Sequence, residues 1–429
     1  MKAQIQKNKV EGFCDNVIVF SFYALIFFLP ISNALVEIFT ALPIVFYFIK
    51  RGHLFYRDNK EQSIGKIWFV RLAKALAPKE TPMNKPIWVW LIICFVSIFF
   101  SVNIGVSFVG FLGKALQSVF VYFSFVEVMG SKKRLQIFFL IFLFSGTIVS
   151  LAGLYQHFFG VDFIRQTPPA HGRISSSLRE PTDFAAYLVI FLSIVLGMLL
   201  CKKIKGDKFI GILTGFPGKL ELFLVFILGL MCLGFTFTRA GFVAFFLSVV
   251  IIGIFHRKVF IPLFVVGLVF IIIFSFKMIH ERQHFNPENL MSPTGRMAYW
   301  NEAINMINDY PILGVGFNAY SLVGRDYKIT WGGYPHNCYL QMAAEVGLIG
   351  LAAYLWIFAA LYRYVWSAFK KIHAPFLYGL FLGAVAGLSG FLFHSFFDTF
   401  MYSVQLSNLM WVLLGLVMVI PMADNLQKN

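Results

Sequence analysis

The chain has 429 residues, 59% of them hydrophobic and only 13% charged, with a formal net charge of +16 and a mean hydropathy of +0.76. A soluble core of this size needs no such apolar excess, and several runs reach the roughly 20 residues that cross a bilayer, so a soluble globular enzyme is excluded. Five scattered cysteines argue against a disulfide framework or metal cluster, and no basic stretch is interleaved with base-stacking aromatics in a water-facing domain, so nucleic acid is not an expected partner. The expected fold class is an all-α polytopic membrane protein of about twelve transmembrane helices, with one long outer loop containing short helices.

In chain order the candidate spans lie near residues 17–34, 36–49, 87–103, 106–128, 135–155, 183–200, 220–237, 240–255, 259–277, 337–361, 376–396 and 403–421. The polar start "MKAQIQKNKVEGFCDN" precedes a first run with no small-residue cleavage site, which therefore reads as a retained span. Segment 51–86 contains "IGKIWFVRLAKALA", apolar at helical spacing with Lys66, Arg71 and Lys74 interspersed, and predicts a helix lying on the inner leaflet. With the N-terminus inside, most of the 36 Lys and Arg fall in inner segments, so both termini are expected there. Four regions follow: N-terminal helices with the amphipathic segment (1–155), central helices with Arg-bearing outer loops (156–277), the long outer loop (278–336) and C-terminal helices (337–429). There is no Walker A pattern, no Asp-x-Asp pair and no visible internal repeat of the transporter kind.

The outer face carries more cations than such faces normally do. Arg165, Arg173, Arg179, Arg239, Lys277, Arg282, Arg296, Arg325 and Lys328 all fall there. Arg239, in "FTFTRAGF", sits in a turn of almost no length between two apolar spans. A guanidinium suits phosphate because its planar fork donates two parallel hydrogen bonds. The alternative is local pairing with Asp162, Glu180, Asp183, Glu302 or Asp398. Near the end of the long loop, "YPHNCYLQMAAEVGLIGL" places one histidine at the mouth of a span.

Within that stretch, His336-Asn337, nine residues, Gly347, two residues and Gly350 resemble the His-Asn/Ser/Gln, x9, Gly-x-x-Gly signature of the bacterial O-antigen ligase family. Three further stretches are similar to segments of the wider ligase and polymerase superfamily: "GRISSSLREPTDFAAYL" (172–188), "TRAG" (238–241) and "GRMAYWNEAINMINDYPILGVGFNAY" (295–320). The resemblance covers residues 150 to 415 as ordered motifs. The Arg and Gly motifs are shared with polymerases, while the His motif leans towards ligase. Residues 179 and 180 are Arg and Glu where family members commonly show Gly-Asn, so this pair is as readily a local salt bridge.

The resemblance implies a glycosyltransferase moving a glycan from undecaprenyl pyrophosphate to a lipid A–core sugar hydroxyl on the periplasmic side of the inner membrane, with no metal and no cofactor. His336 would be the general base, with inversion at the anomeric carbon. Arg239 and Arg296 would grip the diphosphate, with Arg173 and Arg179 completing or steering that site. Asn337 would orient the imidazole or cap the next helix, the cap being preferred. Gly347 and Gly350 would allow close helix packing. Glu345, nine positions after His336 and inside the membrane, is a supporting candidate or one half of a local pair.

Other readings remain open. An O-antigen or exopolysaccharide polymerase and a protein O-oligosaccharyltransferase would use the same scaffold. A transporter of lipid-linked glycans would bind the same headgroup with the same arginines, although the ionisable groups gather at one face and do not line a route across. "HERQH", His280 to His284, matches the His-Glu-x-x-His pattern of zinc peptidases, with no third ligand marked.

Overall fold

The computed structural model describes residues 2–58, 66–201, 215–256, 293–324, 326–327 and 333–425, together with residues 265, 269 and 272. Apart from those three residues, the expected span 259–277 lies outside the described residues, as does the "HERQH" stretch. Every extended element is a helix: α1 (Lys2–Phe28), α2 (Asn33–Asp58), α3 (Lys66–Leu76), α4 (Asn84–Phe99), α5 (Ile104–Val128), α6 (Lys132–Phe159), α7 (Pro181–Leu199), α8 (Phe216–Phe235), α9 (Arg239–Phe255), α10 (Pro293–Asp309), α11 (Cys338–Ala368), α12 (Pro375–His394) and α13 (Val404–Asn425). Among the described residues nine helices are long and apolar enough to cross a membrane, and α4 and α9 are shorter apolar helices. The protein is an all-α polytopic membrane protein.

Local chemistry sets several boundaries. Asn103, Ser131 and Asn337 each cap a helix by accepting a hydrogen bond from a first-turn amide. Proline occupies the first turn of α7, α8 and α12, where its missing N–H costs nothing. The amphipathic segment forms α3, packed beside α2, with Arg51 Nη1 donating to the Ala75 carbonyl at 3.3 Å. The short span expected at 36–49 proves to be part of the 26-residue α2, because the apolar pattern continues past the basic residues that had marked its end.

The centre of the bundle is α7, α12 and α13, which are almost wholly buried. α7 and α12 meet backbone to backbone: a Cβ on Gly197 would stand 2.4 Å from the Gly379 carbonyl. Small residues permit such an approach where lipid offers no hydrophobic drive between helices. The peripheral α2 and α8 present most of their length outwards.

One expectation is corrected. Gly347 does not serve helix packing; it breaks α11, with φ 73° and ψ 177°. The amides of Val315 and Gly316 donate to the released carbonyls of Ala344 and Glu345, at 2.9 Å each, and Leu348 donates back to the Pro311 carbonyl at 2.8 Å. A Cβ at Gly347 would lie 2.0 Å from the Ile312 carbonyl oxygen. The Pro-x-x-Gly-x-Gly turn and the glycine after Glu345 are thus two halves of one joint. It anchors the chain after α10 to a membrane helix through backbone groups that an unbroken helix would keep for itself.

Candidate active site

Five segments meet at one end of the bundle: the loop 160–180, the turn 236–238, α10, the turn 395–399 and the start of α11. The loop is built first by a few buried side chains. Asp162 accepts from the amides of Ile164, Arg165 and Thr167 at 2.7–2.9 Å, and Gln156 Oε1 accepts from Ser175 and Ser176 at 2.9 and 2.8 Å. Arg165 is consumed here, since its Nε and Nη2 both donate to the Ile31 carbonyl. Held this way, the loop delivers Arg173 to the turn before α9. Its Nε donates to the Thr236 carbonyl at 2.9 Å and its Nη2 to Thr238 Oγ1 at 3.0 Å.

Arg239 is the first residue of α9, and Arg296 projects from the first turn of α10. Arg173, Arg239 and Arg296 line one cavity of about 440 Å³. Thr182, Thr238, Trp300 and His394 add polar groups to its wall, and Val243, Met297, Phe393 and Phe397 supply an apolar part. Arg239 and Arg296 form no ion pair with any described residue. Arg296 Nε, Trp300 Nε1 and His394 Nδ1 are buried without a hydrogen-bond partner. Buried polar atoms usually have partners, so three unpartnered atoms on one wall leave it able to donate to an acceptor inside the cavity. Burial lowers the Arg296 pKa, opposed by the charge of Asp398. A guanidinium stays protonated regardless.

His336 does not itself line this cavity; it stands beside residues that neighbour its wall. Its ring lies edge-on to Tyr299 at 5.9 Å, beside Arg296 and Trp300 on α10, and its Nδ1 stands 3.1 Å from Asp398 Oδ1, next to Phe397. The backbone of His336 is left-handed, with φ 46°, an uncommon conformation for a residue with a side chain. Asp398 Oδ1 also accepts from the Thr399 amide at 2.8 Å. Burial pushes the Asp398 carboxyl upwards, but the hydrogen bond and charge of His336, with the Thr399 amide, outweigh it and hold the group below its ordinary value. An ionised Asp398 keeps the proton of His336 on Nδ1, which leaves Nε2 as the basic nitrogen.

The remaining candidates lie elsewhere. Arg179 and Glu180 are both exposed just before α7, and Arg179 does not line the cavity. Asn337 caps α11, its Oδ1 accepting from Tyr339 and Leu340 at 2.9 and 3.1 Å. Glu345 is fully buried in a separate cluster, where it accepts from the Asn318 amide at 2.8 Å and from Gln341 Nε2 at 3.1 Å. Lys114, in a π-helical turn of α5, donates to Asn318 Oδ1 at 2.7 Å in the same cluster. Among the described residues no three His, Cys, Asp or Glu side chains gather as a metal site.

Sequence reasoning missed the roles of two residues. Asp398 had been weighed only as a partner for arginine, and His394 had not been singled out. The available signal was "HSFFD", a histidine and an aspartate four apart in an otherwise apolar C-terminal region.

No curated protein matches the chain. A family model described as O-antigen ligase matches residues 224–355, an interval holding Arg239, Arg296, His336 and both sides of the Gly347 joint. Arg173, His394 and Asp398 fall outside the matched interval: Arg173 and His394 line the same cavity, and Asp398 pairs with His336 beside it. Over residues 224–355 the chain is similar to the O-antigen ligase family, whose members are membrane glycosyltransferase-like enzymes.

Proposed function

We propose that the protein is an O-antigen ligase: a metal-independent, inverting glycosyltransferase that moves a glycan from undecaprenyl pyrophosphate to a sugar hydroxyl of lipid A–core. The observation that supports this most is the cavity in which three arginines and an apolar wall lie beside the His336–Asp398 pair. A polyprenyl diphosphate has the matching shape, a dianionic head on an apolar tail. The protein would sit in the bacterial inner membrane, with both termini in the cytoplasm and this cavity at the periplasmic face.

In this reading His336 takes the proton of the acceptor hydroxyl on Nε2, with Asp398 stabilising the imidazolium that forms. The acceptor oxygen bonds to the anomeric carbon as the carbon–oxygen bond to the diphosphate breaks. The electron pair stays on the phosphate oxygen, where Arg239, Arg296 and Arg173 meet the growing charge. Arg179, exposed outside the cavity, would steer the anion at most.

The test uses proteoliposomes with undecaprenyl-pyrophosphate glycan, lipid A–core and EDTA, without nucleotide. Glycan appearing on the core is expected, with loss of roughly 10²–10⁴-fold in His336→Ala, the usual scale for a general base. Lengthened lipid-linked glycan on an unmodified core would make the protein a polymerase. Both lipids unchanged in the presence of folded protein would defeat the transferase reading.

A further inference from the structure

His394 is the last residue of α12, only 1% exposed, and it opens the turn that ends at Asp398. Around it the chain reads "GFLFHSFFDTF", five phenylalanines with one imidazole among them. Its ring meets Phe400 edge-on at 4.6 Å. If the position served packing alone, a sixth phenylalanine would avoid burying a polar nitrogen. Instead, Nδ1 is sealed from solvent without a partner, while the residue lines the cavity with Arg239 and Arg296. No described residue bonds to it, and a group inside that cavity, reached directly or by a half-turn of the ring, can give the nitrogen a partner. Asp398 does not fill this role: its Oδ1 takes His336 and the Thr399 amide, and no hydrogen bond joins it to His394 Nδ1. The glycine of "TRAG" closes over the ring: a Cβ on Gly241 would stand 3.0 Å from the Ala185 Cβ and 3.6 Å from His394 Cε1. The imidazole is therefore held between α9, α12 and the cavity.

We infer that His394 is a second substrate-contacting histidine, a neutral imidazole that donates a hydrogen bond to the diphosphate oxygen leaving the anomeric carbon. The inference rests on the transferase reading above and adds a division of labour. His336, joined to Asp398, receives the acceptor's proton; His394 keeps its own proton throughout and meets the oxygen that gains the electron pair. An N–H aimed at charge that grows during the reaction favours the transition state over the bound donor. Its removal should act on kcat more than on KM.

The experiment compares wild type with His394→Phe, His394→Gln, His394→Met and Arg239→Ala, all purified in lipid nanodiscs. It follows kcat and donor KM, and the rise in thermal midpoint with farnesyl diphosphate against farnesol. In His394→Phe, kcat should fall by roughly 10²-fold, the scale of one lost oxyanion donor, with KM changed by less than about 3-fold. The melting temperature should be equal or higher. Glutamine keeps an N–H and should recover at least about a tenth of the wild-type rate, which methionine, of similar size and without a donor, should not. Equal activity in the Gln and Met variants, or a His394→Phe kcat within about 2-fold of wild type, would overturn the role of His394 while leaving the site's function intact. Wild type that forms no product and is stabilised no more by farnesyl diphosphate than by farnesol would instead sink the transferase reading. Arg239→Ala should lose the stabilisation by farnesyl diphosphate while His394→Phe keeps it; its loss in His394→Phe as well would make the histidine a ground-state contact and overturn the transition-state role.

Discussion

The two ends of the helix bundle handle positive charge in opposite ways. At the end away from the cavity, Lys50 Nζ lies 2.8 Å from Asp15 and 3.2 Å from Glu127, and Arg51 reaches the other Glu127 oxygen at 2.7 Å. Arg57 pairs with Glu11 a few residues further along α2. These ion pairs tie α1, α2 and α5 together. At the cavity end three arginines converge, and the carboxylate of Asp398, whose charge reaches Arg296, is turned to a histidine. Cations matched by the chain's own carboxylates hold helices in place. Arg239 and Arg296, paired with no carboxylate among the described residues, leave the field for an external anion, and the folded state carries the desolvation cost in the meantime.

The sharpest way to break this contrast is to neutralise one carboxylate at each end. Asp398→Asn should lower transfer by roughly 10³-fold or more, because an amide can hold the wrong tautomer of His336 even with the geometry intact. Glu127→Gln should leave the rate per folded molecule unchanged and lower stability by about 1–3 kcal/mol, the ordinary scale for breaking a partly buried network. Product formation and thermal midpoints measured on both variants would settle it, and comparable stability losses with equal activity would erase the distinction.

Arg296 gives the next largest effect and a test of sign. Arg296→Met keeps an aliphatic stem while removing an unpaired charge, so activity should drop by roughly 10²-fold as the melting temperature stays level or rises. Arg51→Met should do the reverse, melting lower with activity retained. A lower midpoint in Arg296→Met would mean that the cavity arginine is a structural pair member after all.

The smallest effect concerns pH. Asp398 is held below the usual carboxylate value in the folded protein, so its contribution to stability is complete above its unfolded pKa of about 3.9 and is lost as pH falls through the lower folded value. Thermal midpoints of wild type and Asp398→Asn should therefore differ at neutral pH and converge on acidification below about pH 4. A gap that persists or widens there would contradict the ion-pair geometry.

The arginines show how far local reading of a sequence reaches. Arg165, Arg173, Arg239 and Arg296 are chemically alike, and each follows or precedes an apolar run. Yet Arg165 ends on a carbonyl of residue 31 and Arg173 on a turn more than sixty residues away, while Arg239 and Arg296 face a common space. A local motif singles out Arg173 but not Arg165, and neither neighbourhood reveals the carbonyl on which each guanidinium ends. Glu345 is a similar case, since its partners Asn318 and Gln341 include one from the distant side of the joint at Gly347.

Hydropathy, caps and proline placement act over a few residues, and for that reason the sequence by itself determined the membrane class, most helix positions and the Asn337 cap. It also marked His336 as a histidine at the mouth of a span. The folded structure alone decided that Asp398, 62 residues further on, orients that histidine, that His394 enters the cavity wall, and that Gly347 breaks a helix to receive a loop. Those outcomes depend on which helices lie side by side and how closely. Packing of side chains and backbone across the bundle sets that arrangement, and no local periodicity carries it.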